Sequence, residues 1–254
     1  VTTNRTRVKV LDVIVDAVSM DALTDEILEW TDSGSSHVAI GINAHVCNLV
    51  ARDPHLRALV ANSDLNYADG QSIVWAAKAL GVTIPERVAT TDLVVPVVAR
   101  AATEGKNVFF FGGAPGVAAE AAARLRKRNP GLKIESHHGH IDDADRPALI
   151  RSINAHRTDI LFVGLGDPAQ QEWVRDHRDD VSARAILTCG GLFDWLSGSN
   201  RRAPKWMIRA GLEWLWRMII EPRRLARRYL VGNPIFIAAV VRQRFSALSV
   251  PRRS

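Results

Sequence analysis

The feature that most limits the possible folds is an alternation. From residue 8 to about residue 200, short apolar runs alternate with helical stretches, and three of the runs end in glycine. VKVLDVIV (8–15) and HVAIGI (37–42) read as strands on either side of a helix beginning near Ser19–Asp21. DLNYAD (64–69) precedes a helical stretch through SIVWAAKAL (72–80), and a helix across DLVVPVVARAATEG (92–105) leads into NVFFFGG (107–113). GVAAEAAARLRKR (116–128) is Ala-rich with basic residues in its last turns, as helices favour, and Pro130–Gly131 stops it. LKIESHH (132–138), DILFVGLG (159–166) and RAILTCGG (184–191) complete the strand set. Strands alternating with helices predict an α/β fold: a Rossmann-like, mostly parallel sheet with helices on both faces.

Beyond residue 200 the pattern changes to helices alone. Leu212, Leu215, Trp216, Ile219 and Ile220 recur at helical spacing as an apolar stripe, expected to pack on the core or dip into lipid. Pro222 restarts the chain at the first turn of a second helix, and Asn233–Pro234 reads as the cap and first position of a third. Charge changes at the same boundary. Residues 201–254 hold 13 Lys/Arg against two Glu, whereas residues 1–200 hold 20 basic against 25 acidic residues. The expected organisation is therefore an α/β domain over 1–200 and a basic, all-helical C-terminal appendage over 201–254, the latter facing a polyanionic partner.

Cys47 and Cys189, without a CxxC spacing, exclude a disulfide framework and a zinc site, in keeping with a reducing compartment. The stretch VTTNRTRVKV lacks the apolar run of a signal peptide, and PIFIAAVV (234–241) falls well short of the roughly 20 residues that span a bilayer. The expectation is a cytoplasmic protein with, at most, peripheral membrane contact.

The glycine-ended strands are FFFGGAPG (109–116), FVGLGDP (162–168) and LTCGGLFD (187–194). They place Gly112, Gly113, Gly164, Gly166, Gly190 and Gly191 at the sheet edge where open α/β sheets bind ligands. Glycine there serves either close backbone approach to a phosphate or plain turn chemistry. Asp69, in YADG, is either a general base or the cap of the following helix. Asn43 is a ligand amide or a cap, Arg87 a phosphate partner or a surface residue, and Asp194 a ribose or base acceptor or a cap. His137, His138 and His140 read as a surface loop, and Asp142, Asp143 and Asp145 as helix capping rather than a metal site. There is no GxGxxG, no GKS/T and no Gly-x-Ser-x-Gly.

Taken in order, several stretches go beyond a generic sheet: YADGQSIVWAAKALG, ERVATTDL, NVFFFGGAPGVAAEAAARLRKRNPGLKI, DILFVGLGDPAQQEWV, CGGLFDWLSGSNRRAPKWM and GLEWLWRMIIEPRRLARRYL. From about residue 40 to 230 the chain resembles the WecG/TagA/CpsF family of bacterial glycosyltransferases. That resemblance implies transfer of a sugar (of N-acetylmannosamine type or another hexose) from a UDP-sugar to a polyprenyl-diphosphate-linked sugar, with inversion and with neither a cofactor nor an obligatory metal. The product would feed a cell-envelope or teichoic-acid-type polymer. It implies Asp69 as the base, with Asn43 and Arg87 in its pocket and Thr91 and Asp92 close by. It further implies Gln170 and Asp194 on the nucleotide-sugar side, and Arg202, Arg217, Arg224 and Arg227 approaching the diphosphates. Three positions depart from the family pattern. Gly41-Ile42-Asn43 stands for Thr-Pro-Asn, Gln170-Gln171 for Gln-Glu, and Thr90 for the Gly before the Thr-Asp pair.

In the appendage, Glu213 and Glu221 are placed to pair with Arg217 at i+4 and Arg224 at i+3, with Arg228 on the same face. The remaining positive charge, with tryptophans suited to an interface, points to docking on the anionic inner leaflet and closure over the diphosphates; self-association is a further possible partnership. A nucleic-acid module would need a recognition motif that is absent. An epimerase or dehydrogenase would need a Tyr-x-x-x-Lys pair, and Tyr67 is followed four residues on by Gln71. A catalytically silent relative remains compatible with Gly41, although Asp69 is retained.

Overall fold

The computed structural model describes residues 5–200 and 203–248, excluding the side chains of Lys205, Arg209, Arg223, Arg224, Ala247 and Leu248. The chain runs through β1 (Arg7–Val10), β2 (Val13–Asp16), α1 (Met20–Trp30), β3 (His37–Ile42), α2 (Ala44–Val50), α3 (Pro54–Ala61), β4 (Leu65–Ala68) and α4 (Gln71–Ala79). Next come α5 (Thr90–Glu104), β5 (Asn107–Gly112), α6 (Val117–Arg128), β6 (Lys133–His137), α7 (Arg146–Ala155), β7 (Ile160–Gly164), α8 (Ala169–His177), β8 (Ala185–Thr188) and α9 (Leu192–Leu196). Four helices follow: α10 (Lys205–Arg209), α11 (Glu213–Ile220), α12 (Pro222–Leu230) and α13 (Gly232–Leu248).

Six strands form one parallel sheet in the order β4-β3-β8-β7-β5-β6. Side chains alternate across a strand, so the run Phe109-Phe110-Phe111 serves both faces. Phe109 and Phe111 join Leu149, Ile153 and Trp173 beneath α7 and α8. Phe110 joins Ala118, Ala121 and Val97 beneath α6 and α5. A central strand covered on both faces needs such an uninterrupted apolar run rather than strict alternation. Because all six strands are parallel, their carboxyl ends lie along one edge.

VKVLDVIV is not one strand. It folds back at Leu11, whose φ is +56°, and β1 pairs with β2 as an antiparallel hairpin in register Val8↔Val15 and Val10↔Val13. The turn is Leu11-Asp12, in which Asp12 is the one turn-favouring residue. Ser19 caps α1 by accepting from Ala22 N, as its position suggests. Asp145 stands at the N-cap of α7 but makes no side-chain cap bond, and Asp143 instead pairs with Arg146.

The C-terminal helices return to the sheet domain. Phe236 and Val240 of α13 are buried in the same core cluster as Val8, Val10 and Val46. Helix α13 starts at Gly232, two residues before the Pro234 expected to open it, and Asn48 Nδ2 donates to Gly232 O at 2.8 Å. Gln243 clamps the hairpin turn, accepting from Leu11 N and donating to Lys9 O, each at 2.8 Å. The apolar stripe of α11 is a different matter: none of its five members is fully buried, Ile219 is 62% exposed, and Glu213 on the same helix is 4% exposed. Its apolar side chains therefore do not form a buried face, while its carboxylate does point inward.

Candidate active site

Asp69 sits just past the end of β4, where its N–H and that of Gly70 both donate to Ile42 O at the end of β3, at 3.0 and 3.1 Å. The N-cap of α4 is Gly70, with no side-chain cap bond, so the carboxylate of Asp69 is not spent on capping. It goes across to the start of α5: Asp69 Oδ1 accepts from Thr90 N at 2.8 Å and from Thr90 Oγ1 at 3.1 Å. Two donors on one oxygen fix the carboxyl plane and leave the other oxygen available for chemistry. Asn43 does cap a helix, its Oδ1 accepting from His45 N and Val46 N at the start of α2. The same oxygen accepts from Arg228 Nη2 at 3.3 Å, which leaves only the amide N–H groups of Asn43 for a ligand.

Arg87 is not a surface residue. It is bound to Glu213 of α11 at 3.0 Å and lies 4.0 Å from Asp92. Glu213 also accepts from Arg217 at 3.4 Å, and the Arg217 guanidinium lies over the Trp195 ring, 5.0 Å from its centroid. The i,i+4 pair expected within the helix is thus one half of a bridge from the sheet domain to the C-terminal helices.

Two cavities meet here. The larger, about 580 Å³, runs between α4 and α11–α13. Its inner end carries Asn43, Asp69, Arg87, Arg217 and Arg228, and its outer part Trp75, Leu230, Ile237 and Val241. The smaller, about 70 Å³, lies against the ends of β3, β4 and β8 and is lined by Thr90, Thr91, Asp167, Gln170, Gly190 and Gly191 among others. Asn43, Asp69, Arg217 and Arg228 line both. The Nε atoms of Arg217 and Arg228 are buried without a hydrogen-bond partner among the described residues, while the two side chains contribute two positive charges to the shared wall.

Gly190 and Gly191 line the small cavity, while Gly112, Gly113, Gly164 and Gly166 line neither. Two of the latter serve backbone approach. A Cβ at Gly112, where φ is +143°, would lie 2.2 Å from Gly164 O, and one at Gly164 would lie 2.7 Å from Gly190 O. These contacts let the loops after β5, β7 and β8 pack against one another. Gln170 is a strut at the cavity wall: it donates to Asp167 at 2.7 Å and accepts from Gly190 N at 2.8 Å. Asp194 lies in the first turn of α9 and lines neither cavity, although Leu192 and Trp195 of the same helix line the small one. Thr91 lines the small cavity, Asp92 stands behind Arg87, and Arg227 is exposed outside both. Its neighbour Arg228, about 100° further round the helix, is the one that points in. Arg202 and the side chain of Arg224 lie outside the described residues. Among the described residues no group of three or more His, Cys, Asp or Glu could hold a metal ion.

His45 lines the large cavity, and its pKa is pushed below the ordinary 6.5 by burial first and then by Arg228, against an opposing pull from Asp167. The folded state therefore binds fewer protons than the unfolded state below pH 6.5. Stability is complete above that pH and falls as the pH drops through the lowered value. Melting temperature should decline as the pH falls below 6.5, and His45→Gln should flatten that decline; an unaltered slope in the variant would remove His45 as its source.

Ligands of open parallel sheets bind outside the carboxyl ends of the strands, and the shared wall of the two cavities stands there. The class of protein is thus an α/β fold whose cavities meet at the carboxyl ends of a parallel sheet. The chain belongs to the WecG/TagA/CpsF family of glycosyl transferases, whose family model matches residues 8–249. Among the described residues no helix is long and apolar enough to cross a membrane.

Proposed function

We propose that the protein is an inverting glycosyltransferase that moves a hexose from a UDP-sugar to a sugar carried on polyprenyl diphosphate. The observation that carries this reading is the position of Asp69 on the wall common to a small polar cavity and a large, outwardly apolar one. A donor nucleotide-sugar suits the former and an amphiphilic acceptor the latter. Asp69 takes the proton of the acceptor hydroxyl as that oxygen bonds to the anomeric carbon. The anomeric bond to the diphosphate breaks on the opposite face, and UDP leaves with the electron pair. Arg217 and Arg228, whose guanidinium groups line both cavities, stabilise the charge that develops on the leaving diphosphate, the work a metal does in other enzymes.

The test is transfer from a panel of UDP-sugars onto a polyprenyl-diphosphate-GlcNAc analogue, with and without EDTA. Transfer from one donor, insensitive to EDTA, is expected. Loss of transfer in EDTA would overturn metal independence, and neither transfer nor UDP binding would overturn the whole reading.

The same reading places the protein on an anionic membrane surface. Trp206 and Ile219 are 64% and 62% exposed on helices whose surroundings are strongly basic, and neither residue lines a cavity. Trp206→Asp with Ile219→Asp should lower flotation on phosphatidylglycerol vesicles by about tenfold while leaving UDP binding unchanged. Equal flotation would remove this surface from the docking role.

A further inference from the structure

We infer that Tyr67 and Thr90 form a positioning relay for Asp69, and that Gly41 is the space this relay occupies. The inference rests on the proposed role of Asp69 as base. Parallel pairing of β3 with β4 sets Gly41 directly beside Tyr67. A Cβ at position 41 would lie 3.1 Å from Tyr67 Cζ, Tyr67 OH and Asp69 Cβ alike, closer than side chains ordinarily pack. The phenol thus fills the volume a side chain at 41 would take. Tyr67 is fully buried, and its OH lies 2.8 Å from Thr90 Oγ1.

The direction of the chain follows from counting hydrogens. An ionised Asp69 can only accept, so Thr90 Oγ1 spends its one hydrogen on Asp69 Oδ1 at 3.1 Å. Thr90 must then accept from Tyr67, whose hydroxyl proton is held in place because burial, and secondarily the Asp69 charge, raise its pKa far above the ordinary value. The series Tyr67 OH → Thr90 Oγ1 → Asp69 Oδ1 sets one carboxylate oxygen and turns the other toward the shared wall. Two of the departures from the family pattern, Gly41 and Thr90, are therefore adjoining parts of one arrangement.

Tyr67 and Thr90 act through Asp69 and are positioning residues. Thr90→Val keeps the shape and the backbone donor but removes the hydroxyl. It should lower kcat roughly ten- to a hundredfold, the scale of a displaced reacting group; because Thr90 also lines the small cavity, UDP affinity is measured alongside and should fall by much less than kcat. Thr90→Ser should restore kcat to within about threefold. Tyr67→Phe should cost about three- to tenfold, and Tyr67→Phe with Thr90→Val should be no slower than Thr90→Val alone, because both break one chain. Parental kcat in Thr90→Val, or fully additive losses in the double variant, would overturn the relay. A loss of kcat accompanied by lost UDP affinity and a lowered melting temperature would also overturn it, as a purely structural effect. Asp69→Asn run in parallel separates the two proposals: an inactive Asp69→Asn with a parental Thr90→Val sinks only the relay, whereas a fully active Asp69→Asn sinks the base as well.

Discussion

Asp69→Asn is expected to bind UDP within about twofold of the parent and to transfer sugar at least about 10²-fold more slowly, the lower end of what a general base contributes. The substitution isolates the proton acceptor from the rest of the wall. Asparagine has the same shape, and its carbonyl oxygen can still accept from Thr90 N and Thr90 Oγ1, now at 2.8 and 3.1 Å from the aspartate oxygen. Its other atom is an amide nitrogen, whose lone pair is delocalised into the carbonyl and does not take up a proton. The small cavity keeps its remaining lining, including Gly190, Gly191 and Asp167. Isothermal titration with UDP and a single-turnover transfer assay on the same preparation check both halves. Parental transfer would take the base role from Asp69.

Glu213→Ala should have the second-largest effect, and through a different physical cause. Glu213 is buried between Arg87 at 3.0 Å and Arg217 at 3.4 Å. Removing the carboxylate leaves two guanidinium groups without this counter-charge in a largely desolvated place, a change that costs about 3–5 kcal/mol when the site is fully buried. Arg217 retains 30% of its side-chain exposure, so the lower end of that range, about 3 kcal/mol, is the expectation here. The cost is relieved by undocking α11 rather than by unfolding the sheet. Amide hydrogen exchange should accelerate over residues 213–220 and stay slow in β5, β7 and β8, while transfer falls about 10²-fold because Arg217 leaves the wall. Glu213→Gln, which keeps the volume and an acceptor oxygen, should lie between the parent and Glu213→Ala. Unchanged exchange over α11 in the alanine variant would show that the bridge does not hold the helix.

The sheet was legible because its signals are local. Apolar runs such as NVFFFGG and DILFVGLG, each bounded by glycine, are long enough for a strand and too short for a helix, and their neighbours carry helical periodicity. What was hidden depended on contacts distant in sequence. The hairpin turn at Leu11 is held partly by Gln243, more than two hundred residues away, and the local sequence offers only Asp12 as a turn signal. Glycine reads alike whether the backbone approaches a ligand, as Gly190 and Gly191 are placed to do, or another strand, as Gly112 does against Gly164. Choosing between Arg227 and Arg228 needs the rotation of α12 about its axis, which only its packing sets. The stripe on α11 has clear helical period, yet periodicity does not say which side faces in, and the ion pair of the buried Glu213 with Arg87 comes from the sheet domain, 126 residues away in sequence. Asp69 itself was visible as a choice between base and cap of α4; Gly70 takes the cap position, and the carboxylate reaches Thr90, 21 residues on, at the start of α5.

The clamp between Gln243 and the hairpin has a consequence for how the chain is made. Val8 and Val10 share their core with Phe236 and Val240, so contacts spanning well over two hundred residues close that side of the molecule. On the ribosome the hairpin, α2 and the sheet emerge early, but their apolar surface stays uncovered until residues 232–243 have been synthesised and released from the exit tunnel. Such long-range closure is slow and leaves sticky surface exposed in the interval. A nonsense mutation within this last helix would yield a chain with every strand present, a missing cavity wall and an open flank, the kind of product that chaperones retain and proteases remove.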